Sequence, residues 1–264
     1  MATSIAIVVA TFKNPLGLQR LLANMQDSGL PDVPLYVFED PSPDANRRYV
    51  TKAYKDVLRG LGIPLYTAPN WGCMQGIIDF ALRTTNEDWV VYVPDDVHFP
   101  VGGLCNEVDG IRAYGKWFVG GIQAPYWNLE DLLRMGVPME NPPRNPHWEG
   151  PPRAYVNLNG AGFSISRELY RRMRGWPRCT WRLDEWAGFQ AWVNGMVCIT
   201  LPGPPRVHFG GGSLPVQPKG LAFHTEAAWI AACGMTPAQS SDLCRQRMQA
   251  LPGETWEDIE SFYG

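Results

Sequence analysis

Short apolar segments alternate with helical patterns through the first hundred residues, and this alternation limits the possible folds more than any other feature. Four apolar runs are typical of buried strands, at 5–10, 35–38, 64–67 and 89–93. The segments between them have the spacing of helices, at 16–25, 45–61 and 74–82. Such alternation predicts a parallel sheet with helices on both faces, and ligands bind such sheets at the carboxyl ends of the strands.

The rest of the chain is less regular. Seven prolines lie between residues 124 and 153, so we expect a long loop there, and a second Pro/Gly loop over 202–219. Strand and helix patterns return at 155–173, 184–194 and 196–201. From residue 221 onward the pattern is helical. These patterns predict an α/β domain followed by a helical tail.

Composition excludes several classes of protein. The formal net charge of −3 excludes a polycation that binds nucleic acid by bulk charge, and leaves room for a local basic face. The six cysteines form no CxxC pair, so a zinc site has little support and we expect reduced thiols in a cytoplasm. Apolar runs stay well short of ~18 residues and the start lacks a basic leader segment, so we expect no membrane association. The eleven Trp residues fit either core packing or a face that binds sugars or bases.

Two acids and a histidine directly follow the fourth apolar run, as Asp95, Asp96 and His98. Hard divalent ions take oxygen ligands and often keep substrate phosphates as co-ligands. A carboxylate at this strand end would hold Mg²⁺ or Mn²⁺ against a diphosphate. The alternative is a solvated turn, in which Asp-Asp is also common.

Further polar clusters follow other predicted elements. Asp40 closes the second strand and would accept a hydrogen bond from a base or a ribose, whereas Asp44 fits a helix cap. Asp184 and Glu185 open a helical segment, where an acid fits either a general base or a partner for the helix dipole. His208 precedes three glycines and fits either a metal or phosphate contact or a structural role.

The order of these motifs resembles that of the GT-A glycosyltransferases, in particular the family 2-like members. The resemblance covers roughly residues 4–213 and rests on six short motifs, none specific alone. They are the turn Ala10-Thr11-Phe12-Lys13-Asn14, the acidic turn 39–44, Asn70-Trp71-Gly72, Pro94-Asp95-Asp96, the Gly-rich segment 159–168 and the acid Asp184.

The resemblance implies an α/β GT-A fold, Rossmann-like, with a mostly parallel central sheet flanked by helices and a helical C-terminal tail. A catalytic domain would span 1–220, with a nucleotide-sugar half over 1–100 and an acceptor half over 101–220, before a helical extension over 221–264. The implied nucleotide-sugar contacts are Ala10, Thr11, Asp40, Asn70, Gly72 and Asp95. Asp96 and His208 would bind Mn²⁺ or Mg²⁺. Asp184 would be the base of an inverting transfer from a UDP-sugar, with Glu185 as the substitute candidate.

An Arg-rich stretch interleaved with Trp adjoins the predicted base. Guanidinium groups suit phosphates and aromatic rings stack on unpaired bases, so the stretch suits a DNA acceptor, although it also fits a solvated helix face. Its candidate acceptor contacts are Arg171, Arg174, Arg178, Trp181 and Trp186. The chain also resembles the phage-type enzymes that glycosylate 5-hydroxymethylpyrimidines in double-stranded DNA, which implies the host cytoplasm.

Several alternatives stay open. The acceptor would otherwise be a saccharide or glycolipid, or a protein or small molecule. A nucleotidyltransferase shares this type of sheet, but usually has a Gly-rich phosphate loop after the first strand, where this chain has Thr-Phe-Lys-Asn-Pro. An inactive module that binds a sugar nucleotide is the third alternative.

Overall fold

A computed structural model describes residues 3–40, 47–68, 73–136, 150–174, 176, 182–209, 226–251, 253 and 256–263. The strands in these ranges are β1 Ile5–Thr11, β2 Leu35–Glu39, β3 Leu65–Thr67, β4 Trp89–Pro94, β5 Val97–His98, β6 Val119–Gln123, β7 Tyr126–Asn128, β8 Arg153–Tyr155, β9 Phe163–Ser166, β10 Val197–Thr200 and β11 Arg206–His208. The helices are α1 Pro15–Ser28, α2 Arg47–Val57, α3 Cys73–Thr84, α4 Gly103–Tyr114, α5 Leu129–Arg134, α6 Arg167–Met173, α7 Leu183–Val193, α8 Glu226–Cys233, α9 Pro237–Gln249 and α10 Trp256–Tyr263.

Eight of these strands form one mixed sheet in the order β3-β2-β1-β4-β9-β6-β10-β8. Six of them run in the same direction, and β8 and β9 run the other way. The chain moves outward from β1 through β2 to β3 and then returns to the other side of β1 as β4. This reversal places a topological switch point between β1 and β4, where α/β sheets bind ligands at the carboxyl edge.

The first half confirms the predicted alternation of strands and helices. All seven residues of β1 are buried, which explains its continuous apolar composition. Helix α1 begins after Asn14, whose side chain accepts a hydrogen bond from the Gly17 N–H at 3.0 Å, and Pro15 occupies its first turn. Its apolar residues, including Leu18 and Leu22, lie on the buried face.

The prediction of uninterrupted loops over 124–153 and 202–219 is wrong for the residues that the structure describes. Strand β7 and helix α5 lie in the first segment, and β11 lies in the second. These short strands pair with each other and with β5 to form a separate three-stranded sheet. Each of these strands has only two or three residues between prolines or turns. An alternation of apolar and polar residues cannot be recognised over so short a segment, so the sequence did not indicate these strands.

The C-terminal helices confirm the predicted helical tail and pack onto the main body. Trp229 of α8 lies edge-on against Trp186 of α7, with ring centroids 5.0 Å apart. Trp256 of α10 packs on Tyr114 at 4.6 Å. These Trp residues therefore serve core packing. Among the described residues, no helix has both the length and the apolar composition needed to cross a membrane, and Cys105, Cys198, Cys233 and Cys244 are free thiols.

A buried ion pair joins the two sheets. The side chains of Glu107 on α4 and Arg206 on β11 are 0% and 1% exposed and form a direct salt bridge. Ser164 of β9 donates to the other Glu107 oxygen at 2.7 Å, and the Arg206 guanidinium lies 5.2 Å from the centre of the Phe99 ring. Gly162 is also required here, because its φ is +112° and an added Cβ would overlap Arg206. The pair therefore connects α4, β9 and β11.

We expect Glu107→Leu to lower the free energy of unfolding by about 3–5 kcal/mol, because Arg206 would become an uncompensated buried charge. Asp109→Asn on the same helix breaks an exposed pair with Arg112 and is expected to have little effect. Urea unfolding measures both costs. Similar losses in the two variants would contradict a special role for the buried pair.

Candidate functional site

The turn after β1 is held against the turn after β4 by a buried hydrogen-bond network. The Thr11 hydroxyl donates to Asp95 Oδ2 at 2.6 Å and lies 3.1 Å from the hydroxyl of Tyr54 on α2. The Asn14 N–H donates to the same Tyr54 oxygen at 2.9 Å. Thr11, Tyr54 and Asp95 are all buried. The network fixes both sides of the switch point.

Asp95 and Asp96 have different environments although they are adjacent. Burial raises the pKa of Asp95 to about 6, and hydrogen bonds from Thr11 and Asn14 partly offset this rise. The Asp95 carboxylate is therefore directed toward the β1 turn and shapes it. Direct contact between Asp95 and a nucleotide sugar stays a prediction.

Asp96 faces a histidine from the small sheet. Its Oδ2 lies 3.4 Å from His208 Nε2, and the backbone N–H of Phe209 donates to its carbonyl at 2.8 Å. On the other side of the ring, His208 Nδ1 lies 3.4 Å from Asn128 Oδ1 of β7. An Nδ1 hydrogen donated to Asn128 would leave the Nε2 lone pair directed toward Asp96.

This pair fits one side of a divalent metal site. Asp96 Oδ1 is buried and has no hydrogen-bond partner among the described residues, so a carboxylate oxygen is left for a ligand. Within the part of the chain that the structure describes, no group of three or more His, Cys, Asp or Glu side chains is placed to hold a metal. Mg²⁺ typically takes one or two carboxylates and completes its shell with substrate phosphates and water. A metal held by Asp96 and His208 would therefore depend on donor phosphates and water for most of its ligands.

The other predicted nucleotide-sugar contacts lie along the same edge where the structure describes them. Ala10 and Thr11 end β1, and the Asp40 N–H donates to the Thr11 carbonyl at 3.0 Å. Asp40 is 4% exposed. The predicted contacts Asn70 and Gly72 lie outside the described residues.

Asp184 and Glu185 occupy the first turn of α7, which begins at the carboxyl edge because the helix precedes β10. Asp184 Oδ2 accepts from the Gly160 N–H at 2.6 Å. Burial raises the pKa of Asp184 despite this bond and others from the backbone of the helix start. Burial also raises the pKa of Glu185, but its carboxylate is paired with Arg182 at 2.8 Å. Asp184 is therefore the better placed of the two to accept a proton.

The loop before β9 links the predicted base to the Asp96–His208 pair. Asn159 donates to the Tyr126 hydroxyl at 2.7 Å, Gly160 binds Asp184, and Ala161 accepts from Arg206 at 3.5 Å. Tyr126 and Asn128 lie on the same short strand, β7. The loop thus contacts both the predicted base and, through Tyr126 and Arg206, the two short strands that carry Asn128 and His208.

A cleft of about 800 Å³ opens beside Asp96. It is lined by one side of α1 along its whole length, the turn with Asp95 and Asp96, and the segment from His98 to Val101. Its volume is within the range of ligand pockets. The cleft, the metal pair and the predicted base all lie on the carboxyl side of the main sheet.

The predicted acceptor contacts are not brought together. Arg171 lies on α6, which begins at the amino edge of the sheet because Ser166 of β9 pairs with Trp89 at the start of β4. Arg171 lines a groove with Thr3 and Asp88 there. The prediction that Arg171 adjoins Asp184 is therefore wrong.

The structure describes two other predicted acceptor contacts, the buried Trp186 and the exposed Arg174. Trp186 is 4% exposed and packs between Phe189 and Trp229, so burial removes its ring from any stacking surface and corrects that prediction. Arg174 is exposed and ends α6 in a left-handed conformation. Arg178 and Trp181 lie outside the described residues.

Sequence reasoning missed three supporting groups. Glu107 lies on the apolar face of α4, between Leu104 and Ile111. An acid at a position where the helix pattern expects an apolar residue could have indicated a buried ion pair. Tyr54 and Asn128 gave no such signal, because the first has the spacing of a core residue and the second falls in a proline-rich segment.

No family's sequence profile matches the chain, and no curated protein matches it in sequence. Solved structures match its fold. S. aureus TarS 1–349 in complex with UDP-GlcNAc superposes with a TM-score of 0.61 and 10% identity, over 93% of this chain and 72% of that one. The mannosyltransferase PcManGT from Pyrobaculum calidifontis, with GDP-Man and Mn²⁺, has a TM-score of 0.60 and 15% identity over 99% and 79%. GalNAc-T7 with UDP, GalNAc and Mn²⁺ has a TM-score of 0.59 and 10% identity over 99% and 58%.

These likenesses show the fold of the chain. It has the GT-A glycosyltransferase fold, with a large, mostly parallel central sheet flanked by helices, and this confirms the predicted fold class. The superposition covers nearly the whole chain, including the carboxyl edge that carries Asp96 and Asp184.

We expect Asp184→Asn to stabilise the protein at neutral pH. The folded-state pKa of Asp184 is raised above its ordinary value, so the wild type loses stability as pH rises through that raised pKa, and a neutral amide avoids the loss. The gain should vanish below the ordinary Asp pKa of about 3.9. Urea unfolding at several pH values measures it, with the exposed Asp242→Asn as control. A gain that does not change with pH would contradict the assignment.

Proposed function

We propose that this protein is a metal-dependent glycosyltransferase that moves a sugar from a nucleotide-sugar donor, a UDP-sugar by preference, to an acceptor hydroxyl. The observation that carries the proposal is the pairing of Asp96 and His208 on the same edge as Asp184, in a GT-A fold. Neighbouring structures with this fold hold UDP-GlcNAc, or GDP-Man with Mn²⁺.

The donor would lie across the carboxyl ends of β1, β2 and β4. Asp40 would accept from the base, and the Thr11 turn would line the pocket. Asp96 and His208 would hold Mn²⁺ or Mg²⁺ beside the diphosphate. The bound cation would neutralise the charge that develops on the leaving diphosphate.

Asp184 would act as the general base of an inverting transfer. The acceptor oxygen attacks the anomeric carbon, the bond from that carbon to the diphosphate breaks, and the acceptor proton moves to an Asp184 oxygen. The bond from Gly160 fixes the carboxylate, and burial raises the pKa of Asp184 toward the working pH, which suits a base.

We favour a 5-hydroxymethylpyrimidine in double-stranded DNA as the acceptor. The enzyme would take the base out of the stack, so that its hydroxymethyl group reaches the catalytic edge. The second candidate is a saccharide or glycolipid. For the DNA acceptor, the expected location is a cytoplasm, that of the host for a phage-encoded enzyme.

We expect Asp96→Asn to abolish the Mn²⁺-dependent part of donor binding, because it removes the charge on the buried oxygen that has no hydrogen-bond partner in the described part of the chain. His208→Gln should weaken the same part about tenfold or more. His98→Gln is the matched control, since His98 lines the cleft but contacts Asn24 instead. Calorimetry with a UDP-sugar, with and without Mn²⁺, measures all three. Unchanged Mn²⁺ dependence in Asp96→Asn would defeat the metal assignment.

We expect the protein to release a nucleoside diphosphate from a sugar nucleotide when Mn²⁺ and duplex DNA with 5-hydroxymethylcytosine or 5-hydroxymethyluracil are present. Asp184→Asn should lower kcat by about 10²–10⁴-fold without loss of donor binding. The wild-type rate should rise with pH through the raised pKa of Asp184, since the base must be ionised.

The other results of this assay separate the alternatives. Release that needs a saccharide in place of DNA keeps the transferase and changes the acceptor. Release of pyrophosphate, when a nucleoside triphosphate and a sugar 1-phosphate replace the sugar nucleotide, identifies a nucleotidyltransferase. Donor binding without release from any combination identifies a binding module and overturns the proposed activity.

A further inference from the structure

We propose that the exposed basic face of α2, formed by Arg48, Lys52 and Lys55, docks the phosphate backbone of a nucleic acid. The inference rests on the nucleic-acid acceptor of the proposed function, and it adds a binding surface outside the catalytic edge residues. The three side chains are exposed and line a pocket of about 550 Å³ with Glu39 and Thr67.

The spacing places the three cations on one side of the helix. Positions 48, 52 and 55 are four and three residues apart, so their side chains are neighbours on the helix surface. They span about 10 Å along the axis at 1.5 Å per residue. Tyr54 points to another side of the helix and is buried, with its hydroxyl next to Thr11 and Asn14. The cations therefore form a track that faces solvent.

The three cations of this face form no ion pair among the residues that the structure describes, since no described carboxylate is within ion-pairing distance of Arg48, Lys52 or Lys55. Several arginines elsewhere are neutralised by an acid three or four positions away, as in Arg59–Asp56, Arg83–Asp79, Arg112–Asp109, Arg134–Asp131, Arg172–Glu168 and Arg245–Asp242. The face thus keeps its positive charge in a chain whose net charge is −3.

An exposed aromatic residue favours a nucleic acid over other polyanions. Tyr49 is 75% exposed and lies one helical turn from Lys52. In proteins that bind single-stranded nucleic acids, aromatic rings stack on bases while neighbouring cations bind the phosphates.

The position of the face is compatible with an acceptor that reaches the catalytic edge. Glu39 and Thr67 end β2 and β3, so the pocket opens at the same edge as Asp96. Strand β2 lies two positions from β4 in the sheet, about 10 Å at the usual strand spacing. Glu39 is buried and accepts from Thr51 at 2.8 Å and from Thr67 at 2.6 Å, which fixes α2 on the sheet. The groove with Arg171 is less suitable, because it lies at the amino edge and Glu168 neutralises part of its charge.

The test is fluorescence anisotropy of a labelled, unmodified DNA duplex over a series of salt concentrations. The triple variant Arg48→Gln/Lys52→Gln/Lys55→Gln should bind about tenfold or more weakly, and its log–log salt slope should be smaller by about 2.7, at 0.9 for each lost phosphate contact. The charge-matched control is Arg83→Gln/Arg112→Gln/Arg245→Gln, which removes three paired cations and should change neither quantity.

Tyr49→Ser separates a nucleic acid from other polyanions. It should weaken DNA binding without a change in salt slope, because it removes a ring and no charge. Unchanged affinity in Tyr49→Ser would overturn the assignment to a nucleic acid. Equal losses in the two triple variants, no loss in either, or no binding by the wild type would overturn the docking face itself.

The design also separates this inference from the proposed function. The α2 variant should keep Mn²⁺-dependent donor binding, so its defect would appear only with DNA. A wild type that binds duplex through α2 but releases no nucleoside diphosphate would leave the docking face intact and remove the transferase. A wild type that glycosylates a saccharide and does not bind duplex would do the reverse.

Discussion

The geometry of the site depends on the buried pair of Glu107 and Arg206. Two charges without access to water cost several kcal/mol to desolvate, so the pair persists only because the ion pair and the Ser164 hydrogen bond compensate both groups. Arg206 lies two residues before His208 on a strand of three residues, too short to hold its own position. The same strand pairs with β5, which directly follows Asp96. The pair therefore positions both sides of the candidate metal site from within the core.

The candidate site contains carboxylates that are buried, where the ionised form is unfavourable. Burial raises the pKa of Asp95 and of Asp184, and one oxygen of Asp96 is buried without a hydrogen-bond partner from the residues that the structure describes. Groups of this kind reduce stability unless a ligand or a reaction uses them, and they concentrate at functional sites. Asp95 is the exception, since Thr11 and the β1 turn already use its oxygens. The partners of these carboxylates therefore distinguish Asp95, which shapes the β1 turn, from Asp96 and Asp184, which are the candidates for chemistry.

The parts of the fold and site that could be predicted are those set by local sequence. Strand β1 and the Asp95-Asp96 turn were found because a buried parallel strand is continuously apolar and its polar residues begin where it ends. Strands β7 and β11 were not found, because each is stabilised by the other across about eighty residues. Trp186 and Arg171 were misplaced for a related reason. Their spacing is compatible with a binding face, and only the packing of α8 and the direction of β9 show where they lie.

This difference also explains why the donor side is easier to infer than the acceptor side. A diphosphate and a metal ion require carboxylates at adjacent strand ends, and the order of a parallel sheet brings those ends together whatever the loops do. An acceptor is recognised by side chains from elements that are distant in sequence, so no single sequence motif identifies the acceptor. A basic helix face is an intermediate case. Its spacing is local and visible at 48, 52 and 55, but only the structure shows that these exposed cations form no ion pair with the described residues and that the pocket beside them opens toward the edge where transfer would occur.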